Sequence, residues 1–187
     1  MKPIIQNFGK IEVICGGMFS GKTEELIRRL RRAEIAKLTI AIFKPKLDTR
    51  FKKKQIVSHN KTVMNSILIN KCESILNNAE KYNVIGIDEA QFFENSIVEV
   101  CQKLARINKR VIVAGLDKDF KGKPFGPMPY LMAEADHLVK LRAICTICGR
   151  SASNSQRITE EIGKVVIGEL DKYEARCRNC FNKPLKV

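Results

Sequence analysis

The sequence is poor in aromatic residues and has no long apolar run. None of its 187 residues is tryptophan and only 3 are tyrosine, a small supply for a protein that stacks on the bases of single-stranded nucleic acid. The longest apolar stretches, such as residues 111–116, fall well short of the ~18 residues expected of a membrane span. The first ten residues contain no apolar signal-peptide core, which predicts a cytoplasmic protein.

Acidic residues are also scarce relative to basic ones. The chain has 34 lysines and arginines but 20 acidic residues, for a formal net charge of +14. With 44% apolar and 29% charged residues, it has the composition of a globular protein and not of a disordered one. The basic clusters, Arg28–Arg32 and Lys52–Lys54, are predicted to be solvated surfaces that can also attract polyanionic ATP.

Four of the seven cysteines form two close pairs, with two residues between the members of each pair. They are Cys145, Cys148, Cys177 and Cys180. This spacing suits tetrahedral Zn²⁺, and four thiolates leave no open position for a catalytic water, so the predicted site is structural. A redox-active pair is the alternative, but it would be expected singly. The other three, Cys15, Cys72 and Cys101, are predicted to be small buried hydrophobes.

Apolar segments of strand and helix character alternate through most of the chain. This alternation predicts an α/β protein with a parallel sheet covered on both faces. The pattern breaks where the paired cysteines begin, which predicts domains at residues 1–143 and 144–187. The expected strands are 10–15, 38–43, 63–69, 83–88, 110–116 and 137–143, the expected helices are 24–36, 72–80, 94–108 and 127–134, and residues 44–61 are expected to be a loop.

Residues 16–23, GGMFSGKT, match the phosphate-binding pattern G-x-x-x-x-G-K-[ST]. We call them the phosphate loop. The glycines allow the backbone to wrap around a phosphate chain, and the following helix directs its N-terminus at the anion. Lys22 is expected to reach the β- and γ-phosphates, and Thr23 to offer its hydroxyl to Mg²⁺.

Two adjacent acidic residues follow the buried strand expected at residues 83–88. Asp88 is the predicted partner of the magnesium ion. Because successive side chains on an extended segment point apart, Glu89 is expected to face an acceptor and to take its proton. The alternative is that Glu89 only caps the next helix.

Five segments occur in a specific order: GGMFSGKT, KPKLDTR, IDEAQFF, LDKDFKGKPFG and VIGELDKY, the last lying between the two cysteine pairs. In this combination the chain resembles the zinc-containing thymidine kinases of the cytosolic and bacterial type, from about residue 10 to Cys180. The resemblance implies a RecA-like P-loop sheet flanked by helices, with a small zinc-ribbon-like domain whose loop, the lasso, covers the nucleoside. It also implies ATP-dependent phosphorylation of the 5′-hydroxyl of thymidine, with deoxyuridine as a second substrate, by a cytoplasmic homotetramer in nucleotide salvage.

The same resemblance implies a role for each matching residue. Glu89 is the expected general base, and the paired cysteines are the expected zinc ligands, with the zinc holding the lasso and not the catalytic centre. The residues expected to bind ATP and Mg²⁺ are Gly16, Gly17, Met18, Phe19, Ser20, Gly21, Lys22, Thr23, Asp48, Thr49, Arg50, Asp88 and Gln91. The residues expected to bind the nucleoside are Met18, Phe19, Leu116, Phe120, Phe125, Val166, Ile167, Gly168 and Tyr173. Arg50 and Arg157 are both candidates to meet the transferred phosphate.

Three classes of function follow from the sequence. The first is a nucleoside kinase, and the second is a P-loop ATPase with a zinc appendage and no small acceptor. The third is a zinc-ribbon nucleic-acid binder, which the basic charge suggests but the scattered basic residues and scarce aromatics disfavour. Membrane and nucleic-acid partners are therefore not expected. VIGELDKY between the cysteine pairs fits only the kinase.

Overall fold

A six-stranded sheet forms the centre of the protein. The computed structural model describes residues 9–46, 55–57, 63–159 and 172–181. The strands are β1 (Lys10–Gly16), β2 (Ile40–Pro45), β3 (Gln55–Val57), β4 (Val63–Asn65), β5 (Ile67–Ile69), β6 (Val84–Ile87), β7 (Arg110–Leu116), β8 (His137–Leu141), β9 (Ala143–Ile144), β10 (Ser151–Ala152), β11 (Asn154–Arg157) and β12 (Tyr173–Arg176). The α-helices are α1 (Lys22–Ile35), α2 (Ser96–Arg106) and α3 (Met128–Ala133), and 3-10 helices span Cys72–Lys81 and Ala90–Phe92.

The sheet has the order β5-β2-β6-β7-β1-β8, and all of its strand pairs are parallel. Strand β7 lies between β1, which enters the phosphate loop, and β6, which leads to Asp88. Because the strands are parallel, the phosphate loop and Asp88 lie at the same edge of the sheet. The predicted α/β fold with a parallel sheet is confirmed.

Strand β1 shows why the sheet needs helices on both faces. Its side chains alternate between two apolar clusters: Val13 and Cys15 pack on the side of α2, and Ile14 packs on the side of α1. Glu12 is the polar exception on the α1 side, with 4% of its surface exposed. Its carboxylate accepts from Arg29 at 2.7 Å and from Arg110 at 2.7 Å, so the buried charge is paired.

Two predicted segments differ from the structure. The single strand expected over residues 63–69 is two short strands: β4 pairs antiparallel with β3, and β5 joins the main sheet beside β2. They separate at Ser66, which is buried between two apolar stretches that read as one run in the sequence. The expected loop 44–61 contains strand β3, whose pairing with β4 is a tertiary contact that local composition does not reveal.

The carboxyl-terminal part of the described chain, residues 143–159 and 172–181, forms what we call the cysteine unit. Strands β9 and β10 form one antiparallel pair and β11 and β12 another. The predicted division of the chain between residues 143 and 144 stays a prediction, and β9 straddles that point. Across the described ranges, no helix is long and apolar enough to cross a bilayer.

Candidate active site and metal centre

The phosphate loop bends tightly between β1 and α1. Gly21 has a left-handed backbone, φ 83°, and its carbonyl accepts the first helical hydrogen bond, from Glu25 N at 3.0 Å. The carbonyl of Gly17 accepts from both Lys22 Nζ at 2.7 Å and Ser20 Oγ at 2.8 Å. The lysine ammonium therefore lies against the loop, and the N-terminus of α1 follows directly, an arrangement suited to an anion.

The acidic pair lies beyond the end of β6. Asp88 is buried, and its Oδ1 accepts from the backbone N–H of Glu89 at 3.0 Å. Glu89 has a left-handed backbone, φ 53° and ψ 41°, which is uncommon for a residue with a side chain. This turn, and not alternation along an extended strand, sets the direction of the Glu89 side chain. The prediction that Glu89 continues an extended segment was wrong.

A hydrogen-bonded glutamine holds Glu89. The Gln91 side chain is 2% exposed, and its Oε1 accepts from the backbone N–H of Leu116 at 2.9 Å. Because a backbone N–H only donates, the amide oxygen must face Leu116, and Nε2 then donates to Glu89 Oε2 at 2.5 Å. Although Glu89 precedes a 3-10 helix, its side chain makes no capping hydrogen bond.

Aromatic side chains expected in the nucleoside pocket occur in two groups. Phe125 meets Phe92 edge to face, with ring centroids 5.6 Å apart. Phe120 lies under the guanidinium of Arg157, which also donates to the hydroxyl of Tyr173 at 3.1 Å. Sequence reasoning missed Phe92, although it is the first of the two phenylalanines in IDEAQFF.

Two residues expected in the same pocket, Met18 and Phe19, contact the cysteine unit. Phe19 packs against the small apolar cluster formed by Ala143, Ala152, Ala175 and three of the paired cysteines. The backbone N–H of Met18 donates to Ser155 Oγ at 2.9 Å. Sequence reasoning did not single out Ser155, because nothing local marks a serine that reaches back 137 residues.

Six of the predicted site residues lie outside the described residues, so the structure says nothing of them. They are Asp48, Thr49, Arg50, Val166, Ile167 and Gly168. The described chain on either side of residues 160–171 is paired. Arg157 faces Tyr173 in the β11–β12 ladder, and Ile158 N donates to the carbonyl of Lys172 at 2.9 Å.

The four paired cysteines converge as their spacing predicts. Their sulfur atoms all lie within 4.8 Å of one another, and all seven cysteines of the chain are free thiols. A tetrahedral Zn²⁺ with bonds of about 2.3 Å needs sulfur atoms about 3.8 Å apart, so the cluster fits zinc. Although burial opposes ionisation, backbone hydrogen bonds at Cys177 and Ile147 help to lower the pKa of Cys145 to about 6. A hydrogen bond with Cys177 and burial raise the pKa of Cys180 to about 12, so the metal-free cluster favours a thiolate at Cys145 and a thiol at Cys180.

Comparison with known proteins gives a consistent result. The family model described as thymidine kinase matches residues 9–181. A thymidine kinase of Rhodothermus sp. (strain ITI 518) is 53% identical over 188 residues, covering 98% of this chain and 88% of that protein. Thymidine kinases of Bacteroides fragilis (strain YCH46) and Porphyromonas gingivalis (strain ATCC 33277) are each 51% identical, covering 95% and 94% of this chain and 89% and 86% of their own lengths. The chain belongs to the thymidine kinase family.

Proposed function

We propose that this protein transfers the γ-phosphoryl group of ATP to the 5′-hydroxyl of thymidine, and of deoxyuridine, in pyrimidine deoxynucleotide salvage. One observation carries the proposal beyond the family: the phosphate loop shares a sheet edge with Glu89, a carboxylate held by the buried side chain of Gln91. This supports the proposal, because a phosphoryl transfer to an alcohol requires an anion site and a proton acceptor close to each other.

The phosphate loop is the proposed ATP site. Its backbone N–H groups and the N-terminus of α1 suit the β- and γ-phosphates, and Lys22 Nζ is close enough to the loop to exchange its bond to Gly17 O for a phosphate oxygen. Thr23 and buried Asp88 are the proposed holders of Mg²⁺, which when bound offsets the charge of the phosphates. Asp48, Thr49 and Arg50 complete the ATP residues on the family pattern.

Glu89 is the proposed general base. The Glu89 carboxylate takes the proton of the 5′-hydroxyl as that oxygen attacks the γ-phosphorus, and the bond from this phosphorus to the β,γ-bridging oxygen breaks to release ADP. Gln91 supports this role because its amide, oriented by the N–H of Leu116, donates to Oε2 of Glu89 and so fixes the position of the carboxylate. Gln91 therefore acts through Glu89, in addition to the ATP contact that the resemblance implies.

The nucleoside is proposed to bind among aromatic residues at the same edge. Phe125 with Phe92, and Phe120 with Tyr173, offer flat apolar surfaces for a nearly neutral pyrimidine. The lasso residues Val166, Ile167 and Gly168 are proposed to read the base through their backbone. A base that mismatches such donors and acceptors leaves buried groups unpaired, at a cost of about 1–3 kcal/mol per group.

The four-cysteine cluster is proposed to hold a structural Zn²⁺. Four sulfur ligands close the tetrahedral shell, so the ion supplies stability to the cysteine unit and no open coordination position. Such sites contribute roughly 10–16 kcal/mol of apparent binding free energy to their local fold. We take residues 1–143 as the ATP-binding domain and residues 144–187 as the zinc domain, as the sequence predicts.

A homotetramer in the cytoplasm is the proposed setting. Several apolar side chains suited to subunit contacts are more than half exposed: Ile35 at 78%, Ile144 at 69% and Tyr130 at 58%. Seven free thiols, four of them clustered, suit a reducing compartment. Light scattering coupled to size-exclusion chromatography of the zinc-loaded protein measures the subunit number directly.

A nucleoside panel tests the proposed reaction. Zinc-loaded protein with MgATP is given thymidine, deoxyuridine, deoxycytidine or deoxyguanosine, and monophosphate and ADP are both quantified. We expect ADP to form in equal amount to thymidine monophosphate and to depend on added thymidine. ADP released without any nucleoside, and not increased by thymidine, would instead identify a P-loop ATPase.

A further inference from the structure

One guanidinium lies between two aromatic rings from different parts of the chain. The Arg157 Cζ is 3.5 Å from the centroid of the Phe120 ring, which is a stacking distance. The Arg157 Nη2 donates to the Tyr173 hydroxyl at 3.1 Å, and its Cζ is 5.6 Å from the centre of that ring. The same side chain therefore contacts both rings.

The two rings belong to separately fixed structures. Tyr173 is the direct ladder partner of Arg157 in the β11–β12 pair and is 7% exposed. Phe120 belongs to residues 117–126, which we call the core loop, and which follow β7 in the main sheet. This loop is held by Asp119, whose Oδ1 accepts from the backbone of Lys121 and Lys123, each at 2.9 Å. Arg157 is thus a link between the cysteine unit and the core loop.

The chemistry of this link is specific to arginine. A guanidinium is flat and weakly hydrated, so it can lie face-on against a ring while its edge N–H groups donate to a hydroxyl. A lysine ammonium keeps the charge but is a compact, strongly hydrated group that cannot stack. Replacing Arg157 by lysine therefore removes the face-on stacking that joins the two rings, while preserving a cation beside Phe120, whose ring centroid also lies 5.5 Å from Lys121 Nζ.

We propose that Arg157 is a positioning residue for nucleoside binding, which holds the rings of Phe120 and Tyr173 at a fixed separation. The proposal rests on the proposed function, in which both rings line the pocket of the pyrimidine. Arg157 then contributes to nucleoside binding, and other cations contact the transferred phosphoryl group. The expected signature is a change in the KM for thymidine without a matching change in kcat or in the KM for ATP.

The zinc-loaded Arg157→Lys variant tests the proposal. Its steady-state kinetics and its calorimetric binding of thymidine are compared with those of the wild type. We expect the KM and the Kd for thymidine to rise about tenfold, as loss of a shielded cation–π contact and a hydrogen bond implies, with kcat and the KM for ATP within about threefold of the wild type. Tyr173→Phe, which keeps the ring and removes only the hydroxyl, should give a smaller rise in the same direction. Arg150→Lys, at an exposed position of the cysteine unit, is the matched control.

A double variant distinguishes positioning from a general loss of structure. In a Phe120→Leu background the Arg157→Lys change should raise the Kd for thymidine no more than Tyr173→Phe does alone, because the stacking platform is already absent and only the bond to Tyr173 is left to lose. Unchanged thymidine affinity in both Arg157→Lys and Tyr173→Phe overturns the proposal. So does a fall in kcat of about 100-fold at saturating thymidine, since that identifies an arginine that serves the phosphates. If the proposed function itself is wrong, the wild-type protein will bind no thymidine, and this result distinguishes that failure from a failure of the proposal for Arg157.

Discussion

The contact between the phosphate loop and the cysteine unit leads to a prediction about ATP. Ser155 Oγ accepts from the backbone N–H of Met18 at 2.9 Å, and Ser155 is 4% exposed. Ser155→Ala replaces this acceptor with a methyl group and leaves a loop N–H without that partner. The variant removes one oxygen atom from the cysteine unit and nothing from the phosphate loop. Any change in ATP affinity must therefore come from the contact between the two.

The structure sets the size of the effect. An unsatisfied buried donor costs about 1–3 kcal/mol, and because Met18 is only half-buried, water can recover part of that cost. We therefore expect the substitution to destabilise the present loop conformation by about 1–2 kcal/mol. This corresponds to roughly 5–30-fold weaker apparent affinity for ATP and ADP. The KM for ATP and the Kd of ADP should both rise by this factor, while the zinc content stays the same.

Kinetics at saturating thymidine, with calorimetric ADP binding, provide the assay. Ser151→Ala, at an exposed position in β10, serves as the matched control and should behave as the wild type. If Ser155→Ala leaves the KM for ATP and the Kd of ADP within twofold of the wild type, the contact does not hold the loop and the reasoning is refuted.

The contact between Ser155 and Met18 also implies that removing zinc weakens ATP binding as well as thymidine binding. The expectation that the zinc holds the lasso and not the catalytic centre stays a prediction, and it requires thymidine affinity to fall more than ATP affinity.

Three further predictions follow from the site and the core. Glu89→Gln should lower kcat by about 100-fold or more with ADP binding retained, whereas Glu94→Gln, exposed and nearby, should not; near-normal turnover would exclude Glu89 as the base. Lys22→Met should abolish transfer with an unchanged thermal unfolding midpoint, and measurable transfer would contradict its phosphate role. Although burial opposes ionisation, hydrogen bonds led by Arg110 lower the pKa of Glu12 to about 2 from 4.5, so its stabilisation is full above pH 4.5 and is lost towards pH 2. Glu12→Gln should cost about 3 kcal/mol in urea unfolding at pH 7, with the gap from wild type closing as pH falls, and a pH-independent gap would argue against that charge.

Most of the sheet could be predicted because local pattern and tertiary role agree there. Strand β7 was predicted with its observed bounds, since a strand buried on both faces reads as an uninterrupted apolar run. The four-cysteine cluster could be predicted because ligand spacing encodes the geometry of a zinc site. The division of residues 63–69 into β4 and β5 could not be predicted, because two short strands that join different sheets have the same local composition as one longer strand.

The candidate site was predictable in its chemical groups but not in their contacts. Glu89 and Gln91 are recognisable in the motif, yet the left-handed turn at Glu89 and the bond between the two side chains depend on the neighbouring strand β7, which supplies the N–H of Leu116. The same holds for Arg157, whose partner ring on Phe120 is 37 residues earlier in the chain. Contacts between distant segments carry no local signal for periodicity or spacing to detect.

The variable positions of the phosphate loop have a physical meaning that the motif alone conceals. Phosphate binding requires the glycines, lysine and threonine of the pattern, but it leaves residues 17–20 open. Two of these contact the cysteine unit: Met18 donates to Ser155 Oγ, and Phe19 packs on the cysteine cluster. Gly17 leaves room for Ser155, because a Cβ at this position would lie 3.4 Å from Ser155 Oγ. The open positions are therefore occupied by residues that fit the cysteine unit. A substitution such as Phe19→Ser should disturb the zinc centre, although Phe19 lies within an ATP-binding motif.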